Sequence, residues 1–180
     1  MLRFQLHNGV TLFDLLVGIT VASVLLAVAI PSFQGLVLDA RRTTRVNEFV
    51  TAVHLAKSEA HKQHANVVIC KAPNAQNCES GATWGDGWIV FVNTDRDRPP
   101  RVDEGERILR RTAPLGHGSA TANRDAFVFR AYGVSSTNGT LTFCDRRGSS
   151  AARAVIVSST GRPRTSSRTA SGGILECPPP

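Results

Sequence analysis

Residues 9–31 read GVTLFDLLVGITVASVLLAVAIP, and the fold turns on this stretch. Val10 to Ile30 is 21 residues long and carries a single charge, Asp14. A helix rises about 1.5 Å per residue, so this run spans roughly 30 Å, the thickness of a bilayer's hydrocarbon core. A short polar leader, Met1 to Gly9, stands ahead of it, with Arg3 as its only Lys or Arg. A cleaved secretory signal is the bland alternative, and Ala27-Val28-Ala29 offers a small-residue cleavage site. The apolar run Leu15–Ile30 is 16 residues, at or beyond the length of a signal's apolar region. An acid at the front of the run gives a signal peptide no advantage. A carboxylate at the centre of a membrane helix costs about 2.5–3.5 kcal/mol on insertion scales, less near an interface, so it calls for a partner. Were the chain cut after Gly9, the new α-amino group of Val10 would lie one helical turn from Asp14. A neighbouring helix offering the same amine would neutralise the carboxylate during side-by-side assembly.

Beyond Pro31 the helical pattern continues. Val46, Phe49, Val50, Val53, Ala56 and Ala60 recur at three- and four-residue spacing and form one apolar stripe. Arg41, Arg42, Arg45, Glu48, Lys57 and Glu59 fall mostly off it. One helix from about Thr11 to His64 is therefore expected, membrane-buried in its first half and half-buried in its second. From Asn66 the period changes. Strands are expected at 66–70, 88–93, 107–111, 126–131, 140–144 and 154–158, separated by turn formers such as Gly85-Asp86-Gly87 and Pro99-Pro100. Asn138-Gly139 reads as a hairpin turn joining a segment around Val134 to the strand that follows. The fold class is α+β, a long N-terminal helix packed on an antiparallel β-sheet head.

The chain has 180 residues, room for one ordinary domain plus a membrane or targeting segment, which excludes a multidomain enzyme. Its net charge is +7, and 18 of its 21 basic residues are Arg. Arginine makes fixed bidentate contacts with phosphate and carboxylate, so this bias points to an anionic partner. No catalytic constellation stands out, and the chain reads as a non-enzyme without cofactor. His54, His61 and His64 read as polar residues near a helix C-terminus. Asp95, Asp97, Asp103 and Glu104 superficially suggest calcium. However, Arg96, Arg98 and Arg101 interleave them and Pro99-Pro100 replaces the glycine turn of an EF-hand, so a solvated, salt-bridged loop without metal is expected. Four cysteines allow three pairings. We expect Cys70–Cys78 to close a short loop after the first strand and Cys144–Cys177 to tie the last residues to a later one.

The best candidate binding surface is basic. Six Arg and no acid lie between Arg146 and Ala170. In Gly161-Arg162-Pro163-Arg164 the glycine permits a turn and the proline biases Arg162 toward extended backbone. Two Arg at i, i+2 then project to one side about 6.5–7 Å apart, similar to neighbouring backbone phosphates. Nothing looks like a recognition helix, so nucleic-acid binding is expected to ignore sequence.

The stretch from Gly9 to Leu16, with Pro31, resembles the type IV pilin and pseudopilin signature. It departs in having Val10 where that family usually has Phe and Asp14 where it usually has Glu. Ala56–Ala60, Val67–Cys70, Trp84–Phe91, Phe127–Phe129, Thr142–Cys144 and Gly161-Arg162 are similar to the GspH/FimT branch, the minor pseudopilins of type II secretion and minor pilins of type IV pili. The resemblance implies a leader at 1–9 removed by prepilin peptidase between Gly9 and Val10, with methylation of the new amino terminus. It further implies a membrane and filament-core helix at 10–31, an amphipathic continuation at 32–64, a β-rich head at 65–160 and an Arg-rich loop or tail at 161–180. The subunit would sit in the bacterial inner membrane with its head in the periplasm, assemble through Asp14 with other pilins and appear on the fibre or cell surface. The GRxR pattern resembles the DNA-contacting motif of FimT-type minor pilins in natural transformation. That likeness assigns DNA binding to Arg162 and Arg164; local charge adds Arg168, Arg146 and Arg147. The alternative is a GspH-like pseudopilin with a structural, protein-binding role.

Overall fold

The computed structural model describes residues 11–131 and 136–178, and at Pro31 and Ser32 the backbone alone. Helix α1 runs from Leu12 to Gln63, through Pro31. It is capped at its front by Thr11 and Asp14. The Asp14 carboxylate accepts from the Thr11 N–H (3.1 Å) and hydroxyl (2.7 Å), and Thr11 Oγ1 accepts from the Asp14 N–H (3.2 Å). Reciprocal bonds of this kind satisfy amide donors that a helix start leaves open. The chain divides into two compact units, one ending at Ala40 and the other starting at Arg41. In the first, the apolar side chains from Leu12 to Ile30 stand exposed along α1.

The second unit is the head. Its strands are β1 (Asn66–Lys71), β2 (Trp88–Asn93), β3 (Ile108–Thr112), β4 (Ser119–Ala122), β5 (Ala126–Phe129), β6 (Gly139–Cys144), β7 (Arg153–Val157) and β8 (Pro163–Ser166). They form two four-stranded sheets, β3-β2-β1-β5 and β4-β6-β7-β8, in which every pairing is antiparallel. The expected antiparallel β-sheet head is built as two sheets. Each turns one face toward α1. Val46, Phe49, Ala52, Val53, Ala56 and Ala60 of the helix share a core with Val67, Ile69, Trp88 and Val90 of the first sheet and Leu141, Phe143, Val155 and Val157 of the second. Phe49 is fully buried at the centre, edge-on to Trp84, Trp88 and Phe127 at 5.5–5.9 Å. Edge-to-face pairs add about 0.5–1.5 kcal/mol each beyond their burial, which makes this residue the hinge of helix-on-sheet packing.

The outer face of the first sheet is apolar as well. Val68, Cys70, Ile89 and Phe91 are covered by loop residues including Ala72, Cys78 and Val102. Burial on both faces explains why β1 and β2 read as continuous apolar runs rather than as alternation.

Two sequence expectations are corrected here. β6 is not the second arm of a hairpin from Val134, which lies outside the described residues. Both of its edges are already taken, by β4 and β7. Gly139 does not adopt a positive φ. It is glycine because a Cβ there would stand 2.8–2.9 Å from Arg124 Cγ, Asn123 Oδ1 and Phe127 Cε1. The second correction concerns residues 161–180. The chain does not leave the head as a loop after Gly161 but adds β8 to the second sheet.

Candidate anion-binding edge and C-terminal strap

The turn between β7 and β8 is closed by two backbone bonds, Gly161 N–H to Ser158 O (2.9 Å) and Ser158 N–H to Arg162 O (3.0 Å). Gly161 takes φ +71°, and a Cβ there would meet Ser136 Oγ at 2.8 Å and the Phe129 ring at 3.3 Å. Position 161 therefore needs both left-handed backbone and the absence of a side chain. Ser158 Oγ accepts the Arg162 N–H (3.1 Å), and the Lys57 ammonium of α1 donates to Thr160 O (3.0 Å). The turn is thereby tied to the helix.

Pro163 opens β8 opposite Val157, and Arg164 stands opposite Ile156. Pro163 is tolerated because β8 is the edge strand of its sheet. Arg164 lies on β8, and Arg162 immediately precedes that strand in the turn. Both are exposed, and among the described residues neither guanidinium has a hydrogen-bond or ion-pair partner.

The other basic candidates are placed differently. Arg147 folds onto Asp145, with Nη2–Oδ2 at 2.7 Å and Nε–Oδ1 at 3.0 Å. Arg42 of α1 approaches the same carboxylate at 3.8 Å and also bonds the carbonyl of Ala151. The hydrogen bonds from Arg147, with the charges of Arg147 and Arg42, hold the Asp145 carboxyl below the ordinary carboxylate range despite its burial. Arg147 thus serves an internal ion pair. Arg146 is exposed beside it. Arg168 starts a tight reversal: its guanidinium donates to Gly172 O (3.1 Å), Thr169 N–H donates to Gly173 O, and Arg168 bridges to Ile174. The returning chain buries Leu175 against Ala152, Ala154 and Ile156 on the second sheet's outer face. Cys177 then joins Cys144, while Cys70 joins Cys78. The last residues form a strap over the sheet. Gly9 and Val10 lie outside the described residues.

An apolar N-terminal helix whose second half packs on antiparallel sheets is the architecture of a pilin subunit. The family model for Type II transport protein GspH matches residues 45–161, and the chain belongs to that family. No curated protein matches the chain. Among solved structures, the chain resembles type IV minor pilin FimU of Pseudomonas aeruginosa strain PAO1 in two crystal forms. One is 17% identical with TM-score 0.53, covering 75% of this chain and 98% of that one. The other is 17% identical with TM-score 0.52, covering 76% and 93%. At this identity the likeness concerns the fold. Membership makes the chain a pilin-type structural protein and not an enzyme. The family match ends at Gly161, one residue before the arginine pair.

Proposed function

We propose that this chain is a minor pilin, cut after Gly9 by prepilin peptidase, held in the inner membrane by the first part of α1 and then assembled into a type IV fibre. In the fibre it binds extracellular DNA without regard to sequence, in support of natural transformation. The DNA-binding reading rests on Arg162 and Arg164, two residues apart where the turn enters edge strand β8, exposed and, among the described residues, without internal partners. Two unpaired guanidiniums on a rigid hairpin can each engage a phosphate with little ordering cost. Arg168 can extend the same edge once its contact to Gly172 is exchanged, whereas Arg147 has an anion already.

The test is a DNA-retention titration with the head, residues 41–180, over a range of salt. Wild-type affinity should fall with a log–log slope of roughly −0.9 for each phosphate contact, and the Arg162→Ala/Arg164→Ala double variant should lose about two contacts from that slope. An identical slope in both proteins would remove these residues from the reading. A structural pseudopilin is the second reading. It is favoured by the description of the matched family and by the match ending before Arg162. It expects no retention by either protein.

A further inference from the structure

The second sheet brings two turns to one of its ends. β4 finishes at Ala122 opposite Leu141. Asn123 continues that pairing: its N–H donates to Thr140 O (3.3 Å) and its Oδ1 accepts the Thr140 N–H (2.9 Å). Gly139, at the start of β6, stands opposite Val157 at the end of β7, and Val157 stands opposite Pro163 at the start of β8. The turn after β4, residues 123–125, and the turn after β7, residues 158–162, therefore share one end of the sheet. Neighbouring strands are about 4.8 Å apart, so Gly139 and Pro163, two strands apart in one row, are separated by roughly 10 Å.

Arg124 is fixed in the first of these turns. Its carbonyl accepts the Trp84 indole N–H (2.9 Å), while Nε donates to Asn138 O (2.9 Å) and Nη2 to Asn138 Oδ1 (3.3 Å). The stem of the side chain passes close over Gly139, where a Cβ would stand 2.8 Å from Arg124 Cγ. These partners are all neutral. Among the described residues Arg124 meets no carboxylate; it is exposed, and its guanidinium keeps the donors that Asn138 does not use. The adjacent acid, Asp125, is engaged elsewhere, with its Oδ1 2.8 Å from the ammonium of buried Lys71. At the second turn, Lys57 adds a cation beside Arg162 and Arg164 through its bond to Thr160 O.

We propose that Arg124 is a further phosphate-contacting residue, and that the DNA-binding surface runs across this end of the second sheet from the β4–β5 turn to the β7–β8 turn. The proposal rests on the DNA-binding reading of Arg162 and Arg164 and extends it to a residue far from them in sequence. Roughly 10 Å is a span that one phosphate cannot bridge and a chain of phosphates can, so the surface selects a polyanion over a small anion. Bonds to neutral acceptors hold the guanidinium in place without cancelling its charge, which lowers the ordering cost of the contact. Asn138 and Gly139 are the positioning residues of this arrangement, one by its two acceptors and the other by its missing side chain.

The test measures retention of a mixed-sequence duplex by the full chain in non-ionic detergent, as a function of salt. It compares wild type, Arg124→Gln, Arg124→Lys, the Arg162→Ala/Arg164→Ala double variant and the triple variant that adds Arg124→Gln. Thermal midpoints are recorded alongside. Arg124→Gln should reduce the log–log slope by about 0.9, in the wild-type and in the double-variant background alike. The affinity lost between 50 and 200 mM salt should then shrink by about 3.5-fold. Arg124→Lys keeps the charge but gives up the fork that grips Asn138, and should restore most of the slope. A wild-type slope in Arg124→Gln, with a reduced slope in the double variant, would overturn the role of Arg124 and leave the reading of Arg162 and Arg164 standing. An equal slope loss in Arg124→Gln and Arg124→Lys would also overturn it, since a structural role is the one that both substitutions damage. A reduced slope in Arg124→Gln with none in the double variant would refute a surface shared by the two turns. No retention by wild type would overturn both readings.

Discussion

Arg147 and Arg162 belong to the same acid-free stretch of sequence, and their fates diverge because of a neighbour just outside it. Asp145 precedes the stretch and takes Arg147 into a bidentate contact, with Arg42 behind it. Among the described residues nothing comparable reaches Arg162. The same carboxylate makes stability depend on acid. Its pKa in the folded chain is below that of an unfolded aspartate, about 3.9, so the folded state binds its proton less readily. The stability this contributes is complete above about pH 4–5, where an unfolded aspartate is ionised, and is lost as pH falls through the lowered value. Asp145→Asn removes the effect. In urea denaturation of the head at a series of pH values, the variant should be less stable than wild type near neutrality. The gap should close as acid protonates the wild-type carboxyl. A gap that stays constant down to pH 3 would show that the loss is steric rather than ionic.

Elements were legible in the sequence where side-chain pattern decides them. The apolar run and the stripe from Val46 to Ala60 define α1, and six of eight strands fall within a residue or two of their β-rich runs. The two missed strands have no such pattern. β4 reads Ser-Ala-Thr-Ala, which is a strand because Ala120 and Ala122 fit beside Phe143 and Leu141 on β6. β8 reads Pro-Arg-Thr-Ser, polar throughout, and is extended because the tight turn at Ser158–Gly161 delivers it to the free edge of β7. In both cases a partner strand supplies the preference, so context overrides propensity. The strap that follows was legible only as two cysteines; the burial of Leu175 was not. Its energetic weight can be measured. Cys144 and Cys177 close a loop of 33 residues, and the double Ser variant should lose about 3–4 kcal/mol on the chain-entropy model. The expected signature is a lower denaturation midpoint with early proteolysis after Arg168. An unchanged midpoint would mean that Leu175 alone holds the strap.

On the scale of the whole molecule, the two units use apolar surface in opposite ways. The head's core begins at Val46 on α1, and its buried residues all lie within 46–175. Ahead of it, Leu12, Phe13, Leu15, Leu25, Leu26 and Val28 are each more than half exposed, an apolar area far larger than a monomeric soluble protein leaves open. At about 25 cal/mol per Å², that surface drives the chain into a bilayer or against other apolar helices. Filament assembly would exchange one apolar surrounding for another, with Asp14 as the polar group able to fix register. In the monomer its carboxylate is occupied by Thr11, so a neighbour's amine must join or displace that cap. Because, among the described residues, the head's core includes nothing before Val46, residues 41–180 should fold alone, remain monomeric in plain buffer and unfold at the same midpoint as the head within the full chain. The full chain should require detergent or vesicles to stay dispersed. Sedimentation and calorimetry on both forms decide the matter. A fragment that unfolds would tie head stability to the first unit, and a full chain that is monodisperse without detergent would refute an anchoring role for the exposed helix.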